Sequence, residues 1–116
     1  MTNHHKINYV EFPAKNMAKT KLFFAKAFDW KFQDYGPEYC AITNAGIDGG
    51  FFKSSQESLT SNGSTLLVIY SDALEETLNS VVSLGGKIIK PIFEFPGGRR
   101  FHFTEPSGNE FAVWGE

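Results

Sequence analysis

The chain has 116 residues, 41% of them hydrophobic and 21% charged, which suits one domain with its own core and leaves no room for a second. A formal charge of -2 supplies no basic field for nucleic acid or a membrane surface, and no apolar run approaches the roughly 20 residues of a bilayer span. The single cysteine, Cys40, excludes an internal disulfide and a cysteine-based zinc cluster. The polar start, Met1–Asn8, lacks the apolar stretch of a secretory signal, so a cytoplasmic location is expected. His4 and His5, adjacent near the terminus, are expected to be solvated and to point apart.

In chain order, Ile7–Pro13 alternates as a strand, with Val10 and Phe12 on one face and Ile7, Tyr9 and Glu11 on the other. Asn16 caps a helix through Phe28, where Met17, Thr20, Phe23, Phe24 and Ala27 form one apolar stripe. Asp29 breaks that pattern, and strands follow over Trp30–Tyr35, Tyr39–Thr43 and Ile47–Lys53, separated by Gly36-Pro37 and Asn44-Ala45-Gly46. Cys40, in a strand-like run, reads as a small core residue. The stretch 54–64 is polar and reads as a surface linker.

The same order of elements then returns. Thr65–Tyr70 is a strand; Asp72 is a candidate cap for a helix striped by Leu74, Leu78, Val81 and Val82 and closed by Gly85-Gly86. Lys87–Phe95, Arg99–Thr104 and Glu110–Trp114 complete the strands. The chain is therefore α+β: two tandem βαβββ modules, residues 6–53 and 64–116, joined by a linker at 54–63 and offset by about 57 residues. Side by side they are expected to make a curved, half-barrel mixed sheet with helices on its outer face. Val10, Phe12, Leu67, Ile69, Phe101, Phe103, Phe111 and Val113 are predicted to face the helices. Residues of the opposite parity are predicted to line a trough.

Three stretches carry a family resemblance. The run from Val10 to Ala14, with Lys21-Leu22-Phe23-Phe24 and Ala27 to Phe32, is one. Gly85-Gly86-Lys87 followed by Pro91 is the second, and the turn Glu105-Pro106-Ser107-Gly108-Asn109 is the third. Together they resemble glyoxalase/bleomycin resistance/dioxygenase proteins of the vicinal oxygen chelate superfamily. That resemblance implies the paired βαβββ fold and a homodimer as the common assembly. It also implies a divalent metal held by a histidine on the first strand of each module and a glutamate on the last. Those positions correspond here to Tyr9, Leu66 and Ala112, so no metal and no other cofactor is expected.

Trough parity selects Tyr9, Glu11, Tyr70, Arg100, His102, Glu110 and Trp114 as ligand-binding candidates, a mixture of aromatic walls and few polar groups. Glu11 and His102 are the candidates for acid–base catalysis if they meet. Plainer roles stand beside these: an ion pair between Glu11 and Arg100, a hydrogen-bonded sheet histidine at His102, and a core-closing Trp114. Two functions follow. One is metal-free binding of a small organic molecule in an aromatic trough. The alternative is an enzyme of lyase, isomerase or dioxygenase type, using the Glu11/His102 pair or a divalent ion displaced onto Glu11, His102 and Glu110. Pro96-Gly97-Gly98-Arg99-Arg100 precedes no helix, so it reads as a hairpin beside the trough and not as a phosphate loop.

Overall fold

The computed structural model describes residues 3–116; the part of the N-terminal reading that rests on Met1 and Thr2 lies outside them. The elements run β1 (Tyr9–Ala14), α1 (Met17–Phe28), β2 (Lys31–Asp34), β3 (Tyr39–Thr43), β4 (Asp48–Lys53), β5 (Leu67–Tyr70), α2 (Leu74–Ser83), β6 (Lys87–Phe95), β7 (Gly98–Thr104) and β8 (Glu110–Gly115). A 3-10 turn at Thr60–Asn62 interrupts the linker. The repeated βαβββ order is thus realised twice.

Local chemistry sets the helix ends. The Asn16 side chain accepts the Lys19 N–H at 3.1 Å, and Asp29 turns left-handed (φ 60°), its N–H returning to Ala25 O. Two details of α2 differ from expectation. Asp72 does not cap it; the Ser71 hydroxyl instead accepts the Ala73 N–H at 3.0 Å, and Glu75 and Glu76 meet the helix dipole in the first turn. Val82 is 51% exposed, so the packing stripe narrows to Leu74, Leu78 and Val81. At the N-terminus the His4 and His5 rings are exposed but stack at 3.8 Å, and do not point apart.

Each module forms one four-stranded mixed sheet, ordered β1-β4-β3-β2 and β5-β8-β7-β6. In both, the first strand runs parallel to the last and the other pairs are antiparallel. Both sheets are open, and β1 and β5 are edge strands.

The helix-facing residues meet in one aromatic core, with α1 shared between the sheets. Phe24 packs on Phe51 of the first sheet and Phe111 of the second, at 5.8 and 5.0 Å between centroids, and Phe23 packs on Phe103 at 5.8 Å. Phe12 and Phe111 touch directly across the modules at 5.0 Å. All eight residues assigned to this side by parity lie in or against the core. Since the helix-facing sides of both sheets converge on α1, they are the inner faces of the molecule, and the opposite, trough-parity faces are its outer faces.

The turn 105–109 is the polar clamp between modules. Asn109 donates to Pro13 O at 2.7 Å and to Glu105 Oε2 at 2.6 Å, while its own carbonyl oxygen, Oδ1, accepts the Ser58 N–H at 2.9 Å. Glu105 also accepts from the Thr20 hydroxyl at 2.8 Å and the Ser107 N–H, and Ser107 Oγ accepts the Asn16 N–H at 3.0 Å. Burial, outweighing those bonds, pushes the Glu105 carboxyl above its ordinary 4.5. Thr20 is therefore buried on α1 because its hydroxyl has a partner in the other module.

Candidate functional site on the outer face of the second sheet

Strand register places the trough-parity residues of the second module in two rows. Tyr70, Trp114, Arg100 and Phe93 form one row across β5, β8, β7 and β6; Val68, Ala112, His102 and Lys90 form the next. Tyr70 and Trp114 meet edge to face at 5.0 Å, and Phe95 meets Trp114 at 6.2 Å. The Arg100 guanidinium lies over two rings, 5.3 Å from the Phe93 centroid and 5.2 Å from that of Phe95. Val68, Phe95, Gly97, Arg100 and Trp114 line a shallow cavity of about 380 Å³ here. Trp114 is half-buried in this wall and is not a plug of the inner core.

Beside this wall lies a buried polar pair. His102 Nδ1 and Glu110 Oε2 are 2.7 Å apart, and Glu110 Oε1 accepts the N–H and hydroxyl of Thr60 at 2.8 and 2.9 Å. Burial would raise the Glu110 pKa, but the bonds from His102 and Thr60 prevail and hold it below 4.5. The linker is thus pinned to the site through Thr60, a contact that its polar composition did not announce.

Tyr9 and Glu11 lie on the other sheet. There the Tyr39 hydroxyl donates to Glu11 Oε2 at 2.8 Å and accepts from Tyr9 at 2.7 Å. Burial, with the bonds to Tyr9 and Glu11, pushes the Tyr39 phenol far above its ordinary 10.0, so it remains a donor. Gly50 makes room for this ring: a Cβ there would sit 2.0 Å from the Tyr39 hydroxyl oxygen. Among the described residues no ion pair joins Glu11 to Arg100, and no bond joins Glu11 to His102; the carboxylate partner of His102 is Glu110. Within the chain, then, the sequence candidates fall into two groups: Tyr9 and Glu11 on one sheet, and Tyr70, Arg100, His102, Glu110 and Trp114 on the other.

Among the described residues, Val10, Phe12, Trp30, Ile42, Leu67 and Ile69 wall a further cavity of about 410 Å³ between the modules, and Val68 and Tyr70 also border it. It is apolar and lies where neither helix fills the gap.

A family model described as Glyoxalase/Bleomycin resistance protein/Dioxygenase superfamily matches residues 6–113. The chain belongs to that superfamily. Solved structures of similar fold include a glyoxalase-related enzyme from Fulvimarina pelagi, 15% identical over 97% of this chain and 88% of that one, with a TM-score of 0.79. A glyoxalase/bleomycin resistance protein/dioxygenase family enzyme from Burkholderia phytofirmans PsJN is 16% identical over 91% and 94% of the two chains, at 0.75. A variant of the fosfomycin resistance protein FosX from Listeria monocytogenes, complexed with Mn(II) and a dihydroxypropylphosphonic acid, is 19% identical over 97% and 91%, at 0.76. At these identities the likeness establishes the fold alone. No curated protein matches the chain.

The superfamily metal can be tested against the residues that stand in its place. Tyr9 is exposed with its hydroxyl bonded to Tyr39; Leu66 offers an isobutyl group; Ala112 is fully buried between Val68 and His102. Two of the three carry no donor atom, so this set does not fit a divalent ion. Among the described residues, no three His, Cys, Asp or Glu side chains gather in a way that could hold a metal ion. No helix of the described residues is long and apolar enough to cross a membrane.

Sequence reasoning missed Tyr39, Phe93, Phe95 and Thr60. Tyr39 was within reach: Cys40 and Ile42 point inward, so its parity is outward. Phe93 was not, because the β6–β7 register shifts between Ile88, Lys90 and Phe93 and breaks any count by twos.

Proposed function

We propose that this chain is a small-molecule binding protein of the superfamily that works without the family metal. Its ligand lies against the outer face of the second sheet, where Tyr70 and Trp114 give apolar walls and Arg100, with the His102–Glu110 pair, orients polar groups. The observation that carries the reading is the row Tyr70–Trp114–Arg100–Phe93: aromatic surface and a half-buried cation on one face, next to metal positions filled by leucine and alanine. Binding asks for shape and a few directed groups, which this face has.

A homodimer fits the same reading. The outer faces of the two sheets look away from the shared core, while β1 and β5 are edge strands and Tyr9, Val68 and Tyr70 are 45%, 43% and 51% exposed. A second copy, aligning its β5 edge with β1 of the first, would bring Tyr9, Tyr39 and Glu11 into one trough with Arg100 and His102 of the other copy.

Metal analysis and ligand titration of untagged protein test this. The expected result is no stoichiometric metal, a dimer by light scattering, and tryptophan quenching by planar organic molecules that is lost in Trp114→Phe. Stoichiometric zinc, nickel, iron or manganese that disappears in Glu11→Ala or His102→Ala would overturn it. A second reading, a metal-free enzyme, draws on one observation: Glu110 orients His102 through Nδ1 and leaves Nε2 without a protein partner, as a general base requires. Turnover of a small carbonyl compound that vanishes in His102→Gln while ligand binding persists would favour it.

A further inference from the structure

Among the described residues two buried side-chain polar atoms lack any hydrogen-bond partner, Arg100 Nε and His102 Nε2. They are not scattered. Both belong to β7, two residues apart and so on the same face, and Phe93 stands beside both, its ring 5.3 Å from the guanidinium and 5.8 Å from the imidazole. Buried polar atoms in folded proteins are almost always paired, because an orphan forfeits its bonds to water without replacement. Two neighbouring orphans point to one missing partner.

The chemistry of that partner follows from the groups around it. Arginine has five donors, no acceptor, and keeps its charge. Phe93 and Phe95 favour the cation by their ring faces but offer no lone pair, and among the described residues no carboxylate forms an ion pair with Arg100. Arg99, next in sequence and on the opposite face, is paired with Glu75. Lys90 stands opposite His102 in the register and adds a second positive charge. Two carboxylates lie at this face: Glu110, whose oxygens are taken by His102 and Thr60, and Glu116, which accepts from the Tyr70 hydroxyl at 3.1 Å and forms no ion pair with Arg100. The face therefore has donors in excess and lacks an acceptor.

We infer that the outer face of the second sheet is a receptor for a small organic anion, a carboxylate on a flat apolar body. Its oxygens accept from the Arg100 guanidinium and, in the imidazolium form in which Nδ1–H donates to Glu110, from His102 Nε2–H, and its body lies against Phe95 and Trp114. Planar carboxylate matches the fork of a guanidinium, and the two rings hold that fork in place before the ligand arrives. The inference rests on the small-molecule reading above and adds the ligand class.

The test uses 2-naphthoate and its neutral counterpart 2-naphthamide with the full-length protein, read by calorimetry and by the Arg100 Nε–H and Trp114 indole signals in nitrogen-15 spectra. Naphthoate is expected to bind at least about tenfold more tightly than the amide. Arg100→Gln should erase that preference, Arg100→Lys should retain part of it, and both variants should melt as the parent does. Equal affinity for the two probes, with Trp114 still shifted, would leave the small-molecule reading standing and remove the anion receptor. Failure of both probes to shift either signal would remove both. A preference that survives Arg100→Gln would move the anion elsewhere and overturn the assignment.

Discussion

The outer faces of the two sheets are built on the same βαβββ plan and differ in how their polar groups are settled. On the first sheet Tyr9, Tyr39 and Glu11 form a closed relay in which a hydroxyl donates to a hydroxyl and that one to a carboxylate, with no buried group left over. On the second, His102 and Glu110 satisfy one another on one side, while Arg100 and His102 each leave a buried nitrogen bare. The first face is finished as it stands; the second lacks a partner. A repeated fold therefore does not imply repeated chemistry, because the fold fixes where side chains project and the residue at each position decides what they need.

The largest expected effect concerns what holds both faces to one core. Asn109→Ala removes an amide that bonds Pro13 across the modules, Ser58 of the linker and Glu105 of its own turn, stranding several buried groups at about 1–3 kcal/mol each; a loss of about 3 kcal/mol or more in urea unfolding is expected. A loss under about 1 kcal/mol would mean that the aromatic core alone joins the modules.

Next comes the second face. Glu110→Gln should cost about 1–2 kcal/mol near neutral pH. Its carboxyl is held below 4.5 in the folded chain, so the stability it contributes is present above that value and is lost as pH falls through the lower folded value. Parent and variant should therefore converge in acid. A gap that stays constant down to pH 2 would show that the pair does not depend on the Glu110 charge.

On the first face, Gly50→Ala would push a methyl into the Tyr39 hydroxyl, the end of a side chain that can swing away. The cost should be modest, about 1 kcal/mol, but the relay should open and the Tyr39 phenol should titrate nearer its ordinary 10.0 in ultraviolet difference spectra. An unchanged titration would mean that burial alone protects the phenol. The smallest effect is expected for Arg99→Ala, whose partner Glu75 is exposed: no measurable change in melting temperature at physiological salt.

Much of the fold was legible because its signals are local. Alternation in Val10 and Phe12, Phe101 and Phe103, and Phe111 and Val113 assigned the core side of three strands, and the return of strand–helix–strands after the linker disclosed the two modules. The turn at 105–109 was recognisable, although its work as a clamp on Pro13 and Thr20 depends on a neighbour some 90 residues away in sequence. The candidate site was legible in part. Parity placed Arg100, His102, Glu110 and Trp114 on one face, but it also grouped them with Tyr9 and Glu11, which lie on another sheet. Period-2 reasoning tells which side of its own sheet a residue occupies and nothing about how two sheets are turned relative to each other.

By itself the sequence determined the element order and the inward set of side chains, since each depends on residue type and on spacing along a few neighbours. The tertiary structure alone decided that α1 is shared by both sheets, that Thr60 of the linker holds Glu110, and that Phe93 stands beside Arg100 and His102. Those contacts join residues brought together by packing and by a register shift, and no local pattern encodes either.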